Sequence, residues 1–248
     1  MSDSYVKVFK DVISNKNILT IAITTSLISL AGSAYRPYWS AYLKDVLFAD
    51  TVVIGLLSTI ASSERLLFQL PGGILADRFG RRKIIVYGTA LRILPPIIYL
   101  LASHWTHTIP ALLISGAASI YMPAFNAIIA DSLPSEQRGA GYGAYRMITS
   151  TPQMVAPIIG GVVMDWMGYE QGIRIFMVLS FFISVLVTWY RRKMLSETLV
   201  FEDKPGSSGR QRLGIKESLK SVFTMSRSVK AMVLVAFLGS FGTRMVMD

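Results

Sequence analysis

A few charged side chains lie inside long apolar runs of this sequence, and they are the residues best placed to do chemistry. Glu64 is the carboxylate deepest within such a run, and Arg36, Arg65 and Arg92 are guanidinium groups in similar positions. A charge in hydrocarbon costs at least about 2.5 kcal/mol, so each group must face protein or water. A carboxylate in that setting is suited to carry a proton, and a guanidinium to hold an anion or to pair with the carboxylate.

The apolar runs are long enough to cross a lipid bilayer. About 20 apolar residues span the hydrocarbon core. Hydrophobic residues make up 52% of the chain and charged residues only 16%, as expected where lipid is the main solvent. The sequence therefore predicts an all-α membrane protein with six membrane helices in a bundle. The predicted helices cover residues 18–43, 52–76, 84–103, 109–130, 140–164 and 172–190.

Four segments follow from this pattern. Residues 1–17 form a polar N-terminal segment, 18–190 the six-helix bundle, 191–228 a polar linker that contains an amphipathic helix, and 229–248 a seventh apolar helix. Most of the 25 Lys and Arg lie in the N-terminal segment, in alternate loops and in the linker, where we count Arg191. By the positive-inside rule these parts face the cytoplasm, so we expect a multi-pass protein of the cell membrane with a cytoplasmic N-terminus.

A short polar hinge joins the second and third runs. Gly72 and Gly73 lack side chains and allow another helix to approach closely. Gly80 can take the positive φ that reverses the chain. Asp77 lies where the second helix ends, and a cluster of basic residues follows it.

The hinge resembles the loop between helices 2 and 3 of the major facilitator superfamily of secondary transporters, Gly-x-x-x-Asp-Arg-x-Gly-Arg-Arg-Lys. The matching residues are Gly73, Asp77, Arg78, Gly80, Arg81, Arg82 and Lys83. The stretch from Asp131 to Gly139 is similar to that family's Asp-x-x-Pro-x-x-x-Arg-Gly turn after helix 4, with Arg138 at the arginine position. The alternative is a basic hairpin in an unrelated membrane protein.

This resemblance implies a cytoplasmic gate. In the family, the carboxylate that ends helix 4, here Asp131, pairs with the first arginine of the Gly-Arg-Arg run, here Arg81. The hinge aspartate, here Asp77, caps a helix of the second half of the transporter. Such contacts would hold the two halves together while the solute site faces outward. The alternative is that these charges only anchor the loop.

The fifth run is rich in small residues and prolines. It resembles the family's antiporter-associated pattern Gly-x8-Gly-x3-Gly-Pro-x2-Gly-Gly, with Pro152 and Ala156 where glycines are usual. The matching positions are Gly143, Pro157, Gly160 and Gly161. Small residues and proline allow close helix contact and a bend, which would restrict leak; ordinary small-residue packing is the alternative.

Helix geometry places Arg36 and Glu64 near one another. Arg36 lies about 27 Å along its helix from the inner boundary, and Glu64 about 18 Å, at about 1.5 Å of rise per residue. Their side chains lean toward each other, because each leans toward the N-terminus of its own helix. We expect an Arg36 and Glu64 pair beside the cavity, with Glu64 as proton carrier. A static pair that holds two helices in register is the alternative.

The resemblance also implies that helices 1 and 4 line a solute cavity. The candidate contacts are Tyr35, Tyr38, Trp39, Tyr42, Ser119, Tyr121 and Asn126. An aromatic surface with few charges favours amphipathic cargo, whereas Arg36 and Arg65 keep an anionic solute as an alternative. Trp39 and Tyr42 would serve equally as interfacial anchors.

We therefore expect a secondary active transporter that works by alternating access, with proton-coupled efflux of amphipathic or drug-like compounds. Uptake or exchange of an organic anion, and a scaffold or receptor that retains the fold, are the alternatives. The seventh run echoes part of the first, and the family's halves are parallel repeats, so we expect a missing C-terminal half as partner. Protons, a small solute and the lipid bilayer are further expected partners. The sequence has no cysteine, Walker loop, nucleophile beside a base or metal-ligand cluster, so we predict no enzyme, cofactor or metal. The Lys and Arg collect in alternate loops and not in a stripe with interleaved aromatics, so we predict no nucleic-acid partner.

Overall fold

The computed structural model of the protein describes residues 14–199, apart from the side chains of Arg65, Leu66, Leu70 and Glu136. The expected N-terminal segment up to residue 13, the linker from residue 200 and the seventh helix lie outside the described residues. Residues 14–199 contain helices and short connections, with no strand. This is the all-α membrane fold class that the sequence predicts.

Five helical stretches in the described chain are long and apolar enough to cross a membrane. They are α1 (Lys16–Asp45), α2 (Thr51–Phe79), α3 (Arg81–Leu101), α4 (Trp105–Asp131) and the run Arg138–Met194. That last run has 57 residues, about 85 Å at 1.5 Å of rise per residue, and it breaks at Gly168, whose φ of 78° and ψ of 166° are not helical. We therefore describe it as two helices, α5 (residues 138–167) and α6 (residues 169–194).

Proline and capping residues explain where the helices begin and break. The Asn15 side chain accepts hydrogen bonds from the backbone N–H groups of Asn17 and Ile18, which caps the start of α1. A 3-10 turn at Arg36–Tyr38 interrupts α1 where Pro37 cannot donate a backbone hydrogen bond. In the same way α3 is interrupted just before the expected Pro95 and Pro96 kink.

The bundle has two ends, which we name by a residue at each. At the Gly80 end the chain reverses between α2 and α3, and the side chain of Asn15 donates to the backbone oxygen of Ser132. At the Trp105 end the Trp105 backbone N–H donates to the oxygen of Leu47. The helices run back and forth between these ends.

Each end has its own apolar core. Near the Gly80 end, Ile21, Ile85, Phe125 and Ile128 belong to one buried cluster. Near the Trp105 end, residues that include Tyr42, Phe176 and Met177 form the other. Many large apolar side chains on the outside remain exposed, such as Trp166 at 85%. An exposed apolar surface of this extent fits a protein whose helices contact lipid.

The fifth and sixth helices differ from the sequence prediction in two ways. The predicted outer loop between the fifth and sixth helices is reduced to the break at Gly168. The sixth helix also continues to Met194, four residues beyond its predicted end at Tyr190. Arg191 is therefore helical and, as shown below, buried.

Candidate functional site

The Gly80 end holds an ion pair between α3 and α4. The guanidinium of Arg81 pairs with the carboxylate of Asp131, and the Arg81 side chain is only 5% exposed. The same guanidinium donates to the backbone oxygen of Ala127 at 3.4 Å and to the hydroxyl of Thr198 at 3.4 Å. The pair that the sequence resemblance implies is thus present in the structure, at the first residue of α3 and the last residue of α4.

The chain reversal at this end depends on Gly80. Its φ of 96° lies in the region that favours glycine, as expected from the sequence. A Cβ on Gly80 would also lie 2.7 Å from Oε2 of Glu197, a residue in the segment that follows α6. A side chain at position 80 would therefore both strain the backbone and displace Glu197.

Glu197 caps the beginning of α3 and was not predicted from the sequence. Its carboxylate accepts hydrogen bonds from the backbone N–H groups of Arg81 and Arg82, each at 3.1 Å. The first amides of a helix have no partner within the helix, and a carboxylate there also meets the positive end of the helix dipole. The start of the segment after α6 is therefore fastened to the hinge.

The other predicted gate residues surround this pair. Asp77 approaches Arg81 at 3.9 Å and is 66% exposed, so most of the Asp77 carboxylate is free for another contact. Arg82 donates to the backbone oxygen of Arg192 at 2.6 Å. Arg138 donates to the backbone oxygen of Ala130 at 3.0 Å. Arg78 is exposed, with its guanidinium 5.4 Å from the centre of the Phe79 ring.

Two of the glycines proposed for close helix contact behave differently. A Cβ on Gly72 would overlap the backbone oxygen of Ile120, so α2 and α4 approach each other there without room for a side chain. A Cβ on Gly73 would meet only the side chain of Pro123 at an ordinary 3.7 Å. Close approach therefore requires Gly72 and not Gly73.

The small residues of α5 pack against α1. A Cβ on Gly160 would overlap the backbone oxygen of Ala34, and one on Gly161 would lie 2.7 Å from the Tyr38 hydroxyl. That hydroxyl donates to the backbone oxygen of Pro157 at 3.2 Å. Gly143 has open space where a Cβ would stand, so its expected part in close packing is not found among the described residues.

Glu64 is buried in the middle of α2, at 6% exposure, and lies against α4. A Cβ on Gly116 would lie 2.5 Å from Oε2 and 2.7 Å from Cβ of Glu64, so the glycine makes the space that this side chain occupies. The Oε1 atom is buried and accepts no hydrogen bond from the described part of the chain. Glu64 is therefore a buried carboxylic group with an unsatisfied oxygen.

The expected pair of Arg36 and Glu64 is not formed. Arg36 lies in the 3-10 turn of α1 and is exposed, whereas Glu64 faces Gly116 of α4. None of the ion pairs between described residues includes either of them. The depth estimate failed because it gave the height of each residue in the bundle but not the side of the helix on which it lies. The side chain of Arg65, another predicted pathway residue, lies outside the described part of the structure.

A small cavity lies at the Trp105 end among the first four helices. Its volume is about 90 Å³. The lining residues are Trp39, Leu43, Leu57, Ser58, Ala61, Tyr99, Thr108 and Leu112. Trp39, a predicted solute contact, stacks on Tyr42 at 5.4 Å and meets Tyr99 edge-on at 4.8 Å between ring centres. Trp39 and Tyr42 are thus packed in the bundle core.

The remaining predicted contacts on α1 and α4 differ in accessibility. Tyr35 is half-buried and meets the ring of Trp39 edge-on at 6.1 Å. Tyr121 and Ser119 are buried. Asn126 is exposed, and its backbone oxygen accepts a hydrogen bond from Tyr142 at 2.6 Å. Arg36 and Asn126 are therefore the predicted contacts with the most accessible side chains.

Arg191 is the principal polar residue that sequence reasoning misplaced. We counted it as a cytoplasmic charge, but it is only 1% exposed and lies inside the bundle. Its guanidinium donates to the hydroxyls of Thr24 at 2.9 Å, Thr89 at 2.7 Å and Thr25 at 3.4 Å. It also lies 4.6 Å from the centre of the Phe125 ring.

The spacing of residues in the sequence indicates that Arg191 can continue the buried face of α6. Ser184 and Val187 are buried on α6, and Arg191 follows them at spacings that keep all three on one face. Three consecutive basic residues follow Tyr190, and such a cluster is also typical of a polar segment outside the membrane, so the sequence alone does not separate the two placements. Among the described residues no carboxylate pairs with Arg191, so hydroxyls and an aromatic ring hold the cation.

The described residues contain no cluster of three or more metal-ligating side chains. What they hold is a helical membrane bundle with an ion-paired hinge at one end, a buried carboxylic group at its centre and a small cavity toward the other end. This combination is typical of multi-pass membrane proteins.

A sequence profile of the Major Facilitator Superfamily matches residues 21–247. The chain belongs to this superfamily, whose members are transporters. The solved structure of the human organic anion transporter MFSD10 (TETRAN) is similar, with a TM-score of 0.53 and 18% sequence identity. The match covers 87% of this chain and 53% of MFSD10, and it shows the fold alone.

Curated relatives include two bacterial proteins. The quinolone resistance protein NorA of Staphylococcus aureus is 28% identical over 148 residues, which cover 59% of this chain and 38% of NorA. The Na(+), Li(+), K(+)/H(+) antiporter of Planococcus maritimus is 24% identical over 194 residues, covering 75% of this chain and 46% of the antiporter. The matches thus span less than half the length of these relatives.

Proposed function

We propose that this chain supplies the first half of a proton-driven secondary transporter that exports amphipathic or drug-like solutes by alternating access. Membership of a transporter family supports the general activity. The printed names of two relatives, a quinolone resistance protein and a cation/proton antiporter, support efflux and proton exchange. Protons, a small solute, the bilayer and a C-terminal half of the same protein are the partners in this proposal.

The observation that carries the proposal is the burial of Glu64. A carboxylate without its own countercharge is costly inside a membrane, and a carboxylic group that can be neutral and charged in turn is what a proton carrier requires. Glu64 is 6% exposed and has an unsatisfied oxygen. Because Arg36 is not its partner, we now propose that Glu64 takes up and releases its proton without a fixed ion pair.

The Gly80 end supplies the gate and faces the cytoplasm in this proposal. Basic residues of the hinge favour that side by the positive-inside rule. The ion pair of Arg81 with Asp131 and the cap by Glu197 make this end rigid, and the exposed Asp77 is available to the second half. The contact with that half would close this end while the solute site faces outward.

The solute would contact the accessible side chains of α1 and α4. Arg36 and Asn126 are exposed on these helices, and the half-buried rings of Tyr35 and Tyr38 lie along the same stretch of α1. In addition, the packing of Gly160 and Gly161 against α1 would keep protons from leaking past the solute path.

The proposal is tested with the full-length transporter that carries this sequence, in sealed vesicles with a fluorescent amphipathic cation as solute. We expect transport to stop when an ionophore abolishes the pH gradient and to resume when the gradient is restored. Movement of the dye that is equal with and without the gradient would contradict proton coupling. No movement under either condition, with intact folded protein, would favour a scaffold or receptor.

An organic anion as solute is the second candidate. Arg36, Arg92 and Arg191 place guanidinium groups within the helices of the bundle, whereas Glu64 carries the single buried carboxylic group among the side chains that the structure describes. This excess of positive charge favours an anionic group on the solute. Competition of the dye transport by organic anions, and not by organic cations, would select this candidate.

A further inference from the structure

The cavity lies on the same side of α2 as Glu64 and closer than Glu64 to the Trp105 end of the bundle. Leu57 and Ala61 line the cavity; Ala61 follows Leu57 by four residues and Glu64 follows Ala61 by three, which keeps all three on one helical face. The Glu64 side chain leans toward the N-terminus of α2, which is at the Trp105 end. Gly116, which the carboxylic group faces, follows the cavity-lining Leu112 by four residues on α4, so Glu64 lies about one helical turn beyond the cavity on both α2 and α4.

Polar groups line part of the cavity. Tyr99 of α3, which carries a hydroxyl, is one of its lining residues. Ser58 and Thr108 add two further hydroxyls to the wall. A water molecule needs about 10–15 Å³ of such a volume and two to four polar partners, so a cavity of about 90 Å³ has room for several waters.

The position of Glu64 also separates it from the more accessible solute contacts. Glu64 lies between α2 and α4, where Gly116 leaves the space for it. Arg36, in contrast, is exposed and makes no ion pair with Glu64. A proton that reaches Glu64 from the cavity would travel inside the bundle and would not share the path of the solute.

We propose that Glu64 exchanges its proton with the aqueous phase at the Trp105 end through this cavity, by a route within the first half of the transporter. A hydrated proton enters the cavity, and water or the Tyr99 hydroxyl passes a proton to the Glu64 carboxylate. When Tyr99 passes its own proton it receives one from the cavity water, so the tyrosine is neutral before and after. The inference rests on the proposed function, because it takes Glu64 as the proton carrier.

The route is tested by filling the cavity. Ala61→Phe places a ring in it, whereas Ile60→Phe places the same ring one residue away on a side chain that is 39% exposed. The full-length transporter is reconstituted in vesicles with the Trp105 end outward, and the outside is acidified rapidly. Infrared spectroscopy follows the carboxylic band that is absent in Glu64→Gln.

We expect Ala61→Phe to slow the protonation of Glu64 by about tenfold or more, which corresponds to about 1.4 kcal/mol in the barrier. Ile60→Phe should leave the rate unchanged. Equal rates in the two variants would overturn the route. In that case a loss of proton-driven transport in Glu64→Gln would still leave the proposed function standing, whereas undiminished transport in Glu64→Gln would remove the proton carrier itself.

A second pair of variants tests the route if Ala61→Phe does not fold, as judged by circular dichroism. Ser58→Val removes a hydroxyl of the cavity wall and adds a methyl group to it, and Thr59→Val removes a hydroxyl on the exposed side of the same helix. We expect slower protonation in Ser58→Val alone. Protonation in Ser58→Val at the rate of Thr59→Val would contradict the route.

Discussion

Arg81 and Asp131 form an ion pair that joins the first residue of α3 to the last residue of α4. The arginine is almost fully buried, whereas the aspartate side chain is 37% exposed. A buried cation that loses its partner is left with an unfavourable charge. The pair therefore fixes the geometry of the hinge more strongly than a pair on the surface would.

Asp131→Asn should weaken this end of the bundle. The neutral amide keeps the shape but leaves the Arg81 charge without its carboxylate. Because Asp131 is partly exposed, we expect a loss of about 2 kcal/mol, between the values for exposed and buried pairs. Thermal unfolding in detergent measures it, with the exposed Asp165→Asn as control. Equal unfolding temperatures for the two variants would contradict the structural role of the pair.

Glu197→Ala should release the start of α3. Two backbone N–H groups, of Arg81 and Arg82, lose their acceptor, and loss of a helix cap costs about 0.5–2 kcal/mol. The control is Glu170→Ala, which removes only an exposed pair with Arg174. Hydrogen exchange of the Arg81 and Arg82 amides should accelerate in Glu197→Ala. Unchanged exchange at these amides would show that Glu197 does not cap the helix in the membrane.

Two substitutions of Arg191 should distinguish how its charge and its shape each contribute to stability. We expect Arg191→Lys to be less stable than Arg191→Met, because lysine keeps the buried charge but lacks the planar group that reaches several hydroxyls and stacks on Phe125. Methionine removes the charge and packs well against aromatic rings. Unfolding temperatures give the comparison, with the exposed Arg192→Met as control. A lysine variant as stable as the natural protein would refute this account of the site.

Two glycines of α5 should respond in opposite ways to the same change. Gly160→Ala forces α5 and α1 apart, because the new methyl group overlaps the backbone oxygen of Ala34. Gly143→Ala meets open space and should gain about 0.5–1 kcal/mol from the better helix propensity of alanine. We expect a lower unfolding temperature for the first variant and an equal or higher one for the second. The reverse order would contradict the described packing of α5.

The sequence predicted the membrane class and much of the hinge because both depend on local features. Runs of about 20 apolar residues allow few structures in lipid. Gly80 was expected to have a positive φ because only glycine reverses the chain there without strain, and the structure agrees. The ion pair of Arg81 with Asp131 came from the family resemblance and not from spacing.

The sequence could not predict which residues meet inside the bundle. Depth along a helix placed Arg36 beside Glu64, but the rotation of each helix about its axis decides the partner, and Glu64 faces Gly116 instead. Arg191 was misplaced for a related reason, since a basic residue near a helix end can point into the protein as well as out of it. Glu197 caps a helix more than one hundred residues away in sequence, and no local pattern predicts such a contact.

Proton-driven transport by a Glu64→Gln variant of the full-length transporter tests the central proposal most directly. The change keeps the size of the side chain that fits against Gly116 but removes its ability to release a proton. The account predicts that accumulation driven by a pH gradient is lost, while exchange of labelled for unlabelled solute without a gradient continues. Accumulation by the variant at the rate of the unchanged protein would contradict the account.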